Sequence, residues 1–550
     1  MHRWSVSVDT IADSTVGRAV DALPEALRDV LLTGYHRAVR NARYGPEFQS
    51  FYRLLEATQW STPEHARQAQ GARLAWVLRR AVTEIPYYAG LGIAGAVNEQ
   101  VAEDPLRALA LFPRLDKETV RLRGAELRTP DGGAELRTPD GGAELRTPDG
   151  RVDMLSSDVG AELRAPGSAG GSGCRAEPRT PGAAAGAGCR SARRRYRPVA
   201  AHTSGTTGSP LHVACSRAAM QYANACHRHH YSWFGQGLSA RIAYFVGHQA
   251  AAPQRRRPPF WVTDRLGHER LFSVKHLSPA FAPAYAEALT GFGPDVVVGY
   301  PSSLTSLATF CLEQDLRPPR PALVSTLGET LLSWQRRTIA EAFRAPVASF
   351  YNSMERVAFI AECPAGRFHV LPQTTVVEVL RPDGTPVGPG EEGELVCTGL
   401  IDDYMPLIRY RTGDTGVLAE GECSCGRTGM LLERIGGRII DVLVAPDGRR
   451  VGPVDNAFKE ALSIREAQVV QDRRDGVLVR VVMRDGGDER ELEHVRRMLA
   501  FRIGPDFHIR FQMVDEIPRG PNGKFRFLSV DPALRHEASL RYDLAAEGGC

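Results

Sequence analysis

The 550-residue sequence predicts an α/β fold, with a large multi-layer N-terminal domain followed by a small C-terminal α+β lid. Three observations lead there. The chain is too long for one ordinary core, and its length suggests two to four domains. From Val199 to about Glu433 short apolar runs alternate with helical stretches, as they do in layered α/β domains. After Arg438 a smaller alternation of strand-like and helical segments begins, and it suits a compact lid over 439–535. A tail follows at 536–550.

Residues 1–121 read as the helical N-terminal part of the large domain. Ala72 to Val82 spaces its apolar residues three and four apart, as an amphipathic helix does. Pro86 in Ile85-Pro86-Tyr87-Tyr88 breaks that helix, and Leu111 to Leu115 reads as an extended link. At 122–198 the composition changes. The unit G-A-E-L-R-T-P-D-G starts at Gly124, Gly133 and Gly142, and an imperfect copy starts at Gly160. One leucine per nine residues cannot build a stacked core, so the segment reads as a low-complexity, disordered insertion. The 199–438 core follows, with buried strands expected at Asp295 to Val298 and Ala322 to Thr326 and a helix at Leu331 to Phe343. In the lid, Gln468 to Val470, Val477 to Val482 and Ile509 to Val514 are strand-like, and Glu489 to Phe501 is helical.

The bulk charge of +4 is small for this length and makes no case for nucleic acid or a membrane as the main partner. The sequence shows neither an apolar signal core nor a membrane-length apolar run, so a cytoplasmic protein is expected. Ten cysteines are too few for a disulfide framework, and clustered ones read better as metal ligands. Cys363 and His369 form C-x(5)-H and Cys423 and Cys425 form C-x-C, which together could close a tetrahedral Zn2+ site. Four ordinary core or surface residues are the alternative.

The chemistry centres on Thr203 to Pro210, T-S-G-T-T-G-S-P. Gly205 and Gly208 permit tight turns, and the hydroxyls of Thr203, Ser204, Thr206 and Thr207 sit among free-pointing amides. That composition suits phosphate oxygens, although the loop lacks the Lys-Ser/Thr ending of a Walker sequence. Downstream come Y-N-S-M-E at Tyr351 to Glu355, Y-R-T-G-D at Tyr410 to Asp414, Arg434 in E-R-I-G-G-R, and G-K-F-R at Gly523 to Arg526. In this order and spacing the motifs resemble those of the adenylate-forming superfamily. Gly299-Tyr300-Pro301-Ser302, Ile360 to Cys363, M-P-L-I-R-Y-R-T-G-D and C-S-C-G-R resemble its phenylacetate-CoA ligase and CapK-like branch. The resemblance covers Leu74 to Val530 without the insertion.

It implies that a small carboxylic acid, aryl or arylacetic, attacks the α-phosphate of ATP, and that coenzyme A or another acceptor then displaces AMP. By resemblance, Thr203 to Gly208 hold the outer phosphates and Glu355 ligates Mg2+ beside Ser353. Tyr351 stacks on adenine next to Asn352, Gly328 and Glu329 pass the base, and Asp414 takes the ribose with help from Arg434. Lys524 neutralises charge during adenylation. Tyr244, Phe245, His248 and Tyr300 fall in segments that line the acid pocket. Some members of the branch carry structural zinc at positions like the four Cys and His residues. Two departures stand out: Ser209 replaces a lysine of many relatives, and Ile440 replaces a charged hinge residue, with Asp441 beside it. Other outcomes stay open: transfer to an amine or carrier protein, AMP transfer to a hydroxyl, or nucleotide binding without catalysis. A homodimer is an open assembly.

Overall fold

Four short strands run parallel and side by side at the centre: Ile242–Phe245, Val296–Gly299, Leu323–Leu327 and Val347–Asn352. All four residues of Val296–Gly299 are buried, as apolar runs covered on both faces should be. The computed structural model describes residues 43–129, 145–146, 152–153, 199–202, 211–247, 250–251, 255–264, 268–438 and, with short gaps, 443–534. Helices Ala282–Phe292, Pro301–Glu313 and Ser333–Phe343 alternate with the central strands and bury one side each. Their starts are locally encoded: Pro301 stands in the first turn, where its missing N–H costs nothing. Position 299, the last of its strand, has no room for a side chain, because a Cβ there would meet the Phe245 carbonyl oxygen at 2.9 Å.

The sheet then changes character. After Val347–Asn352 the strands Phe359–Glu362, Phe368–Val370, Leu431–Arg438, Tyr410–Leu418, Glu392–Gly399 and Thr375–Leu380 pair antiparallel and complete a twelve-stranded sheet. The expected α/β alternation up to Glu433 therefore stops at Phe343. No described α-helix lies between Ser333–Phe343 and the lid helix Arg490–Ile503. Turns such as that at Gly384, with φ of +87°, do the connecting instead.

The N-terminal helices pack on this antiparallel half. Pro63–Glu84 is capped by the Thr62 hydroxyl, which accepts from the His65 amide, and it buries Leu74, Val77, Leu78 and Ala81 in a core shared with Leu395, Tyr410 and Leu432. The expected insertion begins later than composition suggests. Leu127, in the first repeat, is fully buried in that core; the Glu126 carbonyl accepts from the Tyr87 amide and the Thr129 amide donates to the Tyr404 carbonyl. Repetition hid an ordinary core segment. Of 130–198, only the antiparallel pairing of Leu145–Arg146 with Val152–Asp153 is described.

The C-terminal unit is a four-stranded sheet, His508–Met513, Gly476–Met483, Ile464–Arg473 and Leu528–Val530, with Arg490–Ile503 on one face. Val469, Val479, Val495, Leu499 and Ile509 form its core. Among the described residues no helix is long and apolar enough to cross a membrane.

Candidate active site

The candidate residues gather where the central parallel strands end. Tyr244, Tyr300, Gly328-Glu329 and Tyr351-Asn352 stand at or just past the carboxyl ends of four adjacent strands, the edge at which open α/β sheets bind ligands. Gly328 takes φ of +76°, so the chain turns sharply into Glu329. Thr203, Ser204, Gly205, Thr206, Thr207 and Gly208 lie outside the described residues. The hairpin that carries them is described: Val199–His202 pairs with His212–Cys215, with His202 opposite His212.

Two hydrogen bonds link the antiparallel half to these strand ends. The Tyr351 hydroxyl donates to Asp414 Oδ2 at 2.6 Å, and burial together with the Asp414 charge holds the Tyr351 phenol well above its ordinary value. It stays a donor. The Tyr410 hydroxyl donates to Glu355 Oε1 at 2.9 Å, which orients the carboxylate without spending its charge on a cation. A single carboxylate with a neutral phenol as partner fits Mg2+, which takes few protein oxygens and completes its shell with phosphate and water. Tyr410 was visible as the first residue of Y-R-T-G-D, although sequence reasoning gave it no role. The Ser353 hydroxyl accepts from the Val357 amide at 3.2 Å and closes the turn at Glu355, ahead of the next strand.

The structure separates Arg434 from Asp414. Arg434 stands opposite Val417 in the ladder and pairs with Glu392 at 3.6 Å, whereas Arg438 stands directly opposite Asp414. Arg438 is the second arginine of E-R-I-G-G-R. Phe245 also needs correction as a pocket residue. It is fully buried and stacked on Phe272, ring centroids 4.5 Å apart, because adjacent strand residues point to opposite faces. Tyr244 takes the other face, where burial and Glu269 raise its phenol well above the ordinary value. A buried pair missed in the sequence lies there: Arg228 binds Glu269 at 2.9 Å, and the Tyr44 hydroxyl donates to the same carboxylate. His248 and Lys524 lie outside the described residues, as do Ser209, Ile440 and Asp441.

The four metal-ligand candidates converge. One ligand atom from each of Cys363, His369, Cys423 and Cys425 lies within 4.8 Å of every other. Cys363 Sγ stands 3.6 Å from Cys423 Sγ, and Cys425 Sγ stands 3.3 Å from His369 Nε2. Zn–S bonds of about 2.3 Å in a tetrahedron put sulfurs about 3.8 Å apart, so the set fits zinc, and the sulfurs are too far apart for a disulfide. Burial pushes His369 down to about 4 and keeps its imidazole neutral. Burial works against the Cys425 thiolate, but hydrogen bonds from the Arg427 backbone and from Cys423 outweigh it and hold the thiol below its ordinary value.

The CapK C-terminal domain family matches residues 443–531. Protein CapK of Staphylococcus aureus is 28% identical over 294 residues, 51% of this chain and 63% of CapK. Phenylacetate-coenzyme A ligase of Thermus thermophilus is 32% identical over 160 residues, 28% of this chain and 36% of that enzyme. In sequence the chain is thus similar to adenylate-forming proteins, CapK and phenylacetate-coenzyme A ligase among them. The matches span less than two thirds of either relative. In fold, the chain is similar to 2-hydroxyisobutyryl-CoA ligase in the postadenylation state with 2-HIB-AMP, with a TM-score of 0.59, 18% identity, and 88% of this chain and 94% of that one covered. The likeness is one of fold, and residues 443–531 are the part that matches the CapK C-terminal domain family.

Proposed function

We propose that this protein activates a carboxylic acid, aryl or arylacetic, as its acyl-adenylate and then passes the acyl group to coenzyme A. The convergence of Tyr351, Glu355, Gly328 and Asp414 at the parallel strand ends carries the proposal. The relative named phenylacetate-coenzyme A ligase supports the choice of acid and acceptor. One carboxylate oxygen bonds to the α-phosphorus of ATP while the bond to the pyrophosphate oxygen breaks. Amides and hydroxyls of Thr203 to Gly208 receive the departing charge. Asp414, oriented by Tyr351, accepts from the ribose hydroxyls, and Arg438 stands across the ladder from it. Glu355, oriented by Tyr410, would hold Mg2+, whose charge offsets that of the phosphates. Lys524 supplies an ammonium to the acid and the α-phosphate. Cys363, His369, Cys423 and Cys425 would hold zinc in a structural role.

The test is to incubate the protein with magnesium, ATP and a carboxylic-acid library, and to identify adenylated acids by mass alongside acid-dependent pyrophosphate exchange. An adenylate that becomes a thioester on adding coenzyme A is the expected result. ATP binding without any adenylate would leave a nucleotide-binding protein and end the proposal.

A further inference from the structure

Glu329 was expected to pass the adenine base, but its carboxylate is engaged elsewhere. Oε2 accepts from the Ser302 amide at 3.0 Å, and Oε1 accepts from the Ser302 hydroxyl at 3.0 Å and from the Phe525 amide at 2.8 Å. Ser302 lies in the first turn of Pro301–Glu313, and Phe525 follows Lys524 in the lid. One carboxylate therefore joins the start of that helix to the lid's G-K-F-R segment. Charge-assisted bonds of this kind are about twice as strong as neutral ones, and the helix dipole favours the anion at that end.

The same helix meets the lid at two more points. The Ser306 hydroxyl accepts from Arg519 Nη2 at 3.1 Å, donates to the Ser302 carbonyl at 3.0 Å and stands 3.3 Å from Glu466 Oε1, and Arg519 also lies over the Phe525 ring, 4.8 Å from its centroid. Glu313, at the far end, binds Arg465 Nη2 at 2.6 Å, with side chains 27% and 19% exposed at the edge of the contact. Positions 302, 306 and 313 are spaced by four and seven, which puts them on one helical stripe. Glu466 and Arg465 are neighbours on the lid strand Ile464–Arg473. The contact is thus a three-point rail, with Arg519 tying its middle to the residue after Lys524.

We infer that the Ser302–Ser306–Glu313 stripe, capped by Glu329, seats the lid for adenylation, and that Glu329 is a positioning residue for the loop carrying Lys524. The inference rests on the proposed adenylation reading and adds the element that fixes the lid during it. Glu329→Gln is informative because an amide retains one acceptor oxygen but turns a donor towards the Ser302 N–H. Glu313 and Arg465 test the rail at a distance from the nucleotide.

The experiment measures hydrogen exchange of the peptide containing Phe525, and acid-dependent pyrophosphate exchange with phenylacetate as the probe, in full-length protein with magnesium and ATP. In Glu313→Gln and Arg465→Gln the peptide should exchange about three- to tenfold faster, as befits loss of one shielded ion pair. The charge-swapped double variant Glu313→Arg/Arg465→Glu should regain protection. Glu329→Gln should show the larger rise, with the kcat of pyrophosphate exchange falling and the KM for ATP unchanged. Unaltered protection in Glu329→Gln, or a raised KM for ATP at constant kcat, would overturn the inference and return Glu329 to the nucleotide. Wild-type protein inactive with phenylacetate would count against the adenylation reading for that acid, whereas the protection readout would still decide the seat.

Discussion

Asp402 illustrates how far a single burial can shift behaviour. Burial pushes its carboxyl up to about 6, although the Ser216 and Tyr404 amides both donate to Oδ1. The folded chain thus binds this proton more tightly than the unfolded chain, where an aspartate titrates near about 3.9. Stability is fullest below that value, falls as pH rises from about 4 to about 6, and stays lower above. Asp402→Asn keeps an oxygen for both amides and discards the charge. It should stabilise the protein by about 1–3 kcal/mol at pH 8 and by little at pH 4, read from denaturant unfolding at both values. An equal gain at both would assign the effect to packing. At this scale the sequence was informative where a residue sits inside an ordered motif, as Tyr351, Glu355 and Asp414 do. It was uninformative where facing decides: Tyr244 and Phe245 are adjacent letters on opposite sides of one strand, and Arg434 and Arg438 differ only in register.

Among elements, two attachments make separate predictions. The Cys/His cluster ties the Phe359–Glu362 and Phe368–Val370 hairpin to the 423–425 turn, sites sixty residues apart in sequence. Metal analysis should find about one equivalent of zinc, and stripping it, or Cys423→Ser, should lower the unfolding midpoint by about 5 °C or more. Metal-free protein of unchanged stability would reduce the cluster to packing. The second attachment is the first repeat. Leu127→Ala should cost about 2–5 kcal/mol as a core truncation, whereas deleting 133–150, two whole repeat units, should change stability by less than about 1 kcal/mol. A collapse on deletion would show that later copies hold the fold. The long amphipathic helix and the two apolar strands Val296–Gly299 and Leu323–Leu327 were legible, because period and burial agree there. The antiparallel run 359–438 was not, because its strands are separated by glycine and proline turns that read as the joints of an alternating domain. Leu127 was hidden because identical letters occupy unlike environments.

For the molecule as a whole, the consequential fact is that one helix takes part in both the strand-end site and the lid contact. Pro301–Glu313 begins beside the strand ends that gather Tyr351 and Glu329, and it carries the stripe on which the lid rests. Chemistry that needs the lid should therefore be separable from chemistry that needs only the large domain. Lys524→Ala provides the separation. If its ammonium serves the adenylation step, the variant should lose pyrophosphate exchange by about 100-fold or more, a loss typical of removing one preorganised charge partner. Thioester formation from supplied acyl-AMP and coenzyme A should remain within about threefold of wild type, because that step has no triphosphate charge to neutralise. Single-turnover assays of the two steps on the same preparation make the comparison. Equal loss in both would mean that Lys524 holds the lid rather than the phosphate, and its effect should then be matched by Arg465→Gln, which touches no substrate.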